Sequence, residues 1–191
     1  MKYVLTTIML LTLGLSGCNN NQNTDAEVTL NENISEIVTI DVSSESLTEE
    51  GKWITTINST NAKPAGSNLS PQLSWSEVDG AKLYAIYMID TSAGNWLHWK
   101  AHNIQVTNLE LGVKIEDSDY VGPYPPSGIH EYEIIVYALK AAPDNYAGSF
   151  NSSNPNYQTV EEKLDTTGDK QGNIIGKGSV IGTVSVGEAV E

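Results

Sequence analysis

The sequence contains no arginine, a single cysteine and a single phenylalanine, and no apolar run of membrane-spanning length anywhere after its first residues. Each shortage excludes something. Without arginine the chain lacks the planar, two-pronged cation that usually clamps carboxylate or phosphate. Basic residues number 10, all of them lysine, against 24 acids, for a formal net charge of −14. A chain so acidic has no basic face to meet nucleic-acid phosphates, nor a polybasic segment to dock on anionic lipid. Any anion must be held at one local site against an unfavourable overall field. With Cys18 alone there is no partner for a disulfide and no cysteine set for zinc. The domain must hold itself together by packing and hydrogen bonding.

The first residues are where the apolar content gathers. Met1-Lys2 gives a short positive start, residues 3–15 are almost uncharged and mostly apolar, and Leu15-Ser16-Gly17-Cys18 follows. That order is a secretory signal peptide, too short for a bilayer crossing, which takes about 20 apolar residues. Small residues directly before a cysteine resemble the lipobox of bacterial lipoproteins. The expectation is an exported, membrane-anchored lipoprotein of the bacterial cell envelope, acylated at Cys18 and held to the membrane by its lipid anchor only. An ordinary signal peptide with a chance cysteine is the alternative. The expected division is 1–17 signal peptide, 18–45 flexible polar tether and 46–191 folded domain. The tether begins Asn19-Asn20-Asn21-Gln22-Asn23, with nothing to bury. A first strand at 37–42 is the one element it could contribute.

Downstream, short segments rich in Tyr, Trp, Val, Ile and Thr alternate with turn signals. Strands are expected at 51–57, 73–75, 83–90, 96–104, 131–139, 174–175 and 179–186. Residues 83–90 are nearly all apolar, as in a central strand buried on both faces. Only 157–164 reads as a helix, with Val160 and Leu164 one turn apart. Many short strands and one late helix predict an all-β fold with minor α, an antiparallel β-sandwich or Greek key.

Three histidines stand out: His98, His102 and His130. Strict alternation along 96–104 would put His98, Lys100 and His102 on one face. His98 sits among Trp96, Leu97 and Trp99, where a polar ring needs a reason to be present. His130 follows a rigid Gly/Pro loop, and Asp90 ends the most apolar strand. Taken singly, each of these is more simply structural.

Together they carry a resemblance. Gly66-Ser67-Asn68-Leu69-Ser70-Pro71-Gln72-Leu73-Ser74-Trp75, then 83–90 with Trp96-Leu97-His98-Trp99, then Tyr120-Val121-Gly122-Pro123-Tyr124-Pro125-Pro126-Ser127-Gly128-Ile129-His130 occur in that order. The chain from about 53 to 186 resembles the phosphatidylethanolamine-binding protein family, most closely its bacterial, Raf-kinase-inhibitor-like branch. The resemblance implies antiparallel sheets packed together, with a helix near the C-terminus. It also implies a pocket for a small anion or phosphorylated ligand, lined by Asp90, His98 and His130. Trp96 and Tyr132 would be its apolar walls, and the loop carrying Gly122, Pro125 and Pro126 its rim. No cofactor or metal is expected, and an envelope protein is a further possible partner. Two imidazoles can donate to phosphate oxygens, Asp90 can orient one of them, and a proline-stiffened rim limits the ordering cost of binding.

The sequence departs from the family pattern in places. Asp-Pro-Asp-Ala-Pro is replaced by Asp90-Thr91-Ser92-Ala93-Gly94, Lys100 stands at an apolar position, Glu131 replaces a common arginine, Ala65 lies where a bacterial cysteine is usual, and Tyr124 narrows the rim. Two rival readings use the same residues: a metal- or acid/base-dependent hydrolase, and an envelope inhibitor or adaptor with a vestigial pocket. Ser70 and Ser127 lie in no Gly-x-Ser-x-Gly elbow. The glycine-rich run 176–182 fails as a dinucleotide fingerprint because Ile181 occupies its third glycine position.

Overall fold

The computed structural model describes residues 36–191. The expected signal peptide, Cys18 and the tether up to residue 35 lie outside the described residues. In chain order the strands are β1 (Val38–Thr39), β2 (Val42–Ser43), β3 (Leu73–Trp75), β4 (Leu83–Asp90), β5 (Trp96–Ile104), β6 (Asn108–Leu109), β7 (Ser118–Tyr120), β8 (Ile129–Leu139) and β9 (Ile174–Ser185), with helix α1 (Gln158–Leu164) between the last two. A six-stranded sheet runs β1-β9-β8-β4-β5-β7 and a three-stranded sheet runs β2-β3-β6. Pairing is antiparallel except where β1 joins β9.

Strands β4 and β8 form the middle of the larger sheet, and their apolar runs are apolar because both faces are covered. Tyr84, Ile86 and Met88 of β4, with Ile134, Val136 and Ala138 of β8, face the smaller sheet and pack against Trp53, Leu73, Trp75 and Leu109. The opposite face presents Ala85, Tyr87, Ile89, Ile135 and Tyr137 to Leu97 and to Val160 and Leu164 of α1. The product is three layers, and the all-β class with one late helix is the class observed. Each large side chain buried completely in these cores contributes roughly 1.5–3 kcal/mol.

Several elements differ from the sequence-based reading. Segment 51–57 is not a strand: Lys52 and Trp53 make single bridges to Thr183 and Leu47, and a 3-10 turn takes Thr55–Ile57. Tertiary burial decides this, since Trp53 is 1% exposed and its indole N–H donates to the Tyr132 carbonyl at 3.2 Å. Residues 174–185 form one unbroken strand rather than two. The glycines between the two expected strands permit close approach of the neighbouring chain, because a Cβ at Gly178 would stand 1.9 Å from the Ile40 carbonyl oxygen. The single strand expected at 37–42 is instead two short ones, β1 and β2, and through them this part of the stretch read as tether joins the sheets. The very short β6 and β7 were not foreseen, being too brief to show a period.

Candidate functional site

Antiparallel pairing of β4 with β8 sets Asp90 opposite Tyr132. Side chains alternate along a strand, so Asp90, His130 and Tyr132 share the face that further along carries Met88 and Ile134. A β-bulge delivers the third member. Ile89 pairs with Leu97 and Met88 with Trp99, which leaves His98 as an extra residue on β5. His98 thereby turns toward Tyr132, the two rings meeting edge-on at 5.2 Å. Past the bulge the alternation is offset. Lys100 and His102 face the other way, Lys100 donating to the Gly148 carbonyl at 3.2 Å and His102 stacking on Tyr146 at 3.9 Å. The expected stripe of His98, Lys100 and His102 is therefore corrected, because strict alternation does not survive an inserted residue.

The hydrogen bonds fix both rings. His130 Nδ1 lies 2.6 Å from Asp90 Oδ2, and an ionised carboxylate only accepts, so Nδ1 carries the proton. Asp90 Oδ1 accepts the Ser92 N–H at 2.9 Å, which occupies both carboxylate oxygens. His98 Nδ1 donates to the Val121 carbonyl at 2.9 Å, while the Val121 N–H donates to the His98 carbonyl at 2.8 Å. In each imidazole Nε2 is the nitrogen left to meet a ligand. Burial, the largest effect, pushes the His98 imidazole below its ordinary 6.5, against the pull of the Val121 carbonyl and the Asp90 charge. The Tyr132 hydroxyl is buried without a hydrogen-bond partner beside Asp90, and burial first, then that charge, raises its pKa. It stays a protonated phenol.

These groups open onto a cleft of about 460 Å³ whose walls include Trp96, Val121, Gly122, Tyr124, Pro126 and Asn151. Trp96 is 36% and Tyr124 54% exposed, so the mouth is aromatic. Tyr132 and Pro125, expected as wall and rim, do not reach the surface of the cleft: both are buried, Tyr132 beneath His98. Ser59, Asn61 and Asn151 also line the cleft and were missed. They are ordinary polar loop residues, far in sequence from either histidine, and nothing in the chain marks them. The rim loop is anchored from beneath. The Gly122 N–H donates to Asn68 Oδ1 at 2.8 Å, the Ser59 N–H to the Pro123 carbonyl at 3.0 Å, and the Tyr120 hydroxyl to the Ile57 carbonyl at 2.8 Å. A shallower hollow beside β1, about 650 Å³, has Asp41, Glu133 and Lys177 as its ionisable groups and no imidazole.

A sequence model of the phosphatidylethanolamine-binding protein family matches residues 44–185. The chain belongs to that family. A UPF0098 protein of Methanothermobacter thermautotrophicus is 30% identical over 137 residues, which are 61% of this chain and 83% of the relative. A UPF0098 protein of Chlamydia pneumoniae is 29% identical over 93 residues, 39% of this chain and 62% of its own. Among solved structures, a phosphatidylethanolamine-binding protein homologue from Chlamydia trachomatis superposes with a TM-score of 0.60 at 22% identity, covering 77% of this chain and 97% of that one. Escherichia coli YbcL, described as a member of the mammalian family, gives 0.58 at 22% identity, over 77% of this chain and 98% of its own. At that identity the likeness is one of fold.

Within this chain, the departures from the family pattern have local structural roles. Thr91 Oγ1 donates to Glu131 Oε1 at 3.0 Å and the Glu131 N–H donates to Ser92 Oγ at 3.0 Å, so the altered loop is stitched to the start of β8. Lys100, where an apolar residue is usual, ties down the 146–148 loop through two backbone carbonyls. Among the described residues no three His, Cys, Asp or Glu side chains are placed to hold a metal ion.

Proposed function

We propose that this protein is an envelope binding module whose Asp90/His98/His130 cleft takes a small anion, a phosphoryl group above all. The observation that carries the reading is the convergence of two imidazoles, each with its Nδ1 proton committed elsewhere, at one cleft. A neutral imidazole so arranged offers a lone pair at Nε2, which repels a bare anionic oxygen. Binding therefore brings a proton with it, either as imidazolium or as a protonated phosphate that donates its O–H to Nε2. Titrating the full-length chain with inorganic phosphate should show affinity rising by about tenfold from about pH 8 to about pH 6. Calorimetry in buffers of different ionisation enthalpy should register net proton uptake. Affinity that holds flat or falls toward acid pH would refute this proton linkage, and no thermal shift at millimolar phosphate would remove the anion reading itself. Burial of neutral His98 works the other way on the empty protein. Its folded pKa is depressed, so its contribution to stability is intact above 6.5 and declines as pH falls below that value.

The alternative, hydrolysis by the same Asp90, His98 and His130 groups, predicts turnover of a phosphate ester that His98→Ala abolishes. An adaptor with an idle pocket would survive loss of both histidines, and phosphate binding would not touch it.

The membrane anchor is part of the same proposal and rests on Leu15-Ser16-Gly17-Cys18. Expressed in a bacterium, the wild-type chain should partition into the detergent phase and incorporate labelled fatty acid. Cys18→Ser should lose the label and keep its leader. Label retained in Cys18→Ser would show acylation elsewhere or none at this site.

A further inference from the structure

We infer that the ligand of this cleft is a phosphomonoester of an apolar, aromatic alcohol rather than of an amino alcohol; the inference rests on the anion reading and names the ligand class for that site. Size comes first. A water occupies about 30 Å³ of liquid, and a cleft of about 460 Å³ is far larger than a lone tetrahedral anion needs. The remaining space must fit whatever the phosphoryl group is attached to.

The chemistry of the walls decides what that is. Asp90 is the only carboxylate lining the cleft, and it is 3% exposed with its two oxygens engaged by Ser92 and His130. Two further acceptors are occupied: Asn151 Oδ1 takes the Trp96 indole N–H at 3.2 Å, and the Val121 carbonyl takes His98 Nδ1; the side-chain oxygens of Asn61 and Tyr124 are neutral and lie at the exposed mouth. A primary ammonium entering here would shed water and find no free carboxylate to pair with, a cost that neutral oxygens at the mouth offset only in part. Position 92, acidic in the family pattern, is a serine whose hydroxyl is turned to the Glu131 backbone. What the cleft does offer is Trp96, Tyr124 and Pro126, with their rings partly in water and open to contact. Rigid aromatic surfaces take up flat apolar groups at low entropic cost.

The test compares four ligands on the full-length chain by calorimetry near pH 6: inorganic phosphate, phosphorylethanolamine, phosphorylcholine and phenyl phosphate. Phenyl phosphate is expected to bind at least about tenfold tighter than inorganic phosphate, and phosphorylethanolamine no tighter than inorganic phosphate. Trp96→Ala and Tyr124→Ala should each shrink the ratio of phenyl phosphate to phosphate affinity, and the double variant should bring it close to one. Both side chains stand at the surface, so the ratio can be read in folded protein, which its melting curve verifies. A stronger response to phosphorylethanolamine or phosphorylcholine than to phenyl phosphate overturns the inference, as does a ratio that ignores both substitutions. Binding of phosphate without preference for the ring would refute the ligand class alone. Failure of all four ligands would refute the anion reading together with it.

Discussion

Gly122→Ala is expected to destabilise the fold by about 3 kcal/mol or more and to abolish any phosphate-induced rise in melting temperature. A Cβ built at Gly122 would stand 2.2 Å from the Ile57 carbonyl oxygen and 2.5 Å from both the Asn58 carbonyl carbon and the Ser59 nitrogen. Every one of these atoms is backbone, so no side chain can swing away to make room. Either the rim loop lifts or the 57–59 segment retreats, and both moves break the bonds that hold the cleft: Gly122 N–H to Asn68 and Ser59 N–H to the Pro123 carbonyl. Lifting the loop also pulls Val121 from His98, whose tautomer that carbonyl fixes. Urea denaturation monitored by the buried tryptophans would measure the loss. A midpoint within error of wild type would show that the close approach is slack, and would leave the rim without the support described above.

The fold was legible wherever burial was double or alternation regular. Residues 83–90 announce a central strand because a sheet covered on both faces leaves no charged position in it before Asp90. Legibility failed where tertiary contact overrules local pattern. The run Trp53-Ile54-Thr55-Thr56-Ile57 has strand composition but spends Trp53 and Ile57 as anchors in the core, and Thr55–Ile57 coils into a 3-10 turn. At the site the sequence named Asp90, His98 and His130 only through the resemblance. Their meeting depends on pairing between β4 and β8 and on the bulge at His98, and neither is written in the spacing of the three residues. Ser59, Asn61 and Asn151 were invisible for a related reason: loops bring them to the cleft, and loop residues carry no period. Tyr132 shows the converse error, since a family role as wall became, in this chain, a support under the wall.

Asp90→Ala carries the other large effect, on stability and on binding together. The carboxylate side chain is 4% exposed and its partner His130 14%, so the pair stands largely out of water. Removing a buried partner leaves its neighbours without compensation, a change that costs roughly 3–5 kcal/mol for a buried ion pair and less for a neutral one. Here two donors are orphaned at once, His130 Nδ1–H and the Ser92 N–H that Asp90 caps at the turn Thr91–Ala93. The alanine variant is expected to lose about 3 kcal/mol. Asp90→Asn separates shape from charge: its amide oxygen can still accept one of the two bonds, so about half of the stability should return. Phosphate affinity should not return with it. Held by the carboxylate, His130 presents Nε2 to the cleft in a fixed direction; an amide, which can turn either its oxygen or its NH2 to the ring, orients it less firmly. Losses of about tenfold or more are expected in both variants, by analogy with carboxylates that orient metal-binding histidines. Opposing this, deleting a negative charge lowers the repulsion on an incoming anion. That repulsion acts across the whole imidazole ring, whereas the carboxylate holds the ring in place at 2.6 Å, so the nearer interaction wins. Phosphate binding that strengthens in Asp90→Asn would reverse this ranking and recast Asp90 as a structural cap with no part in holding the anion.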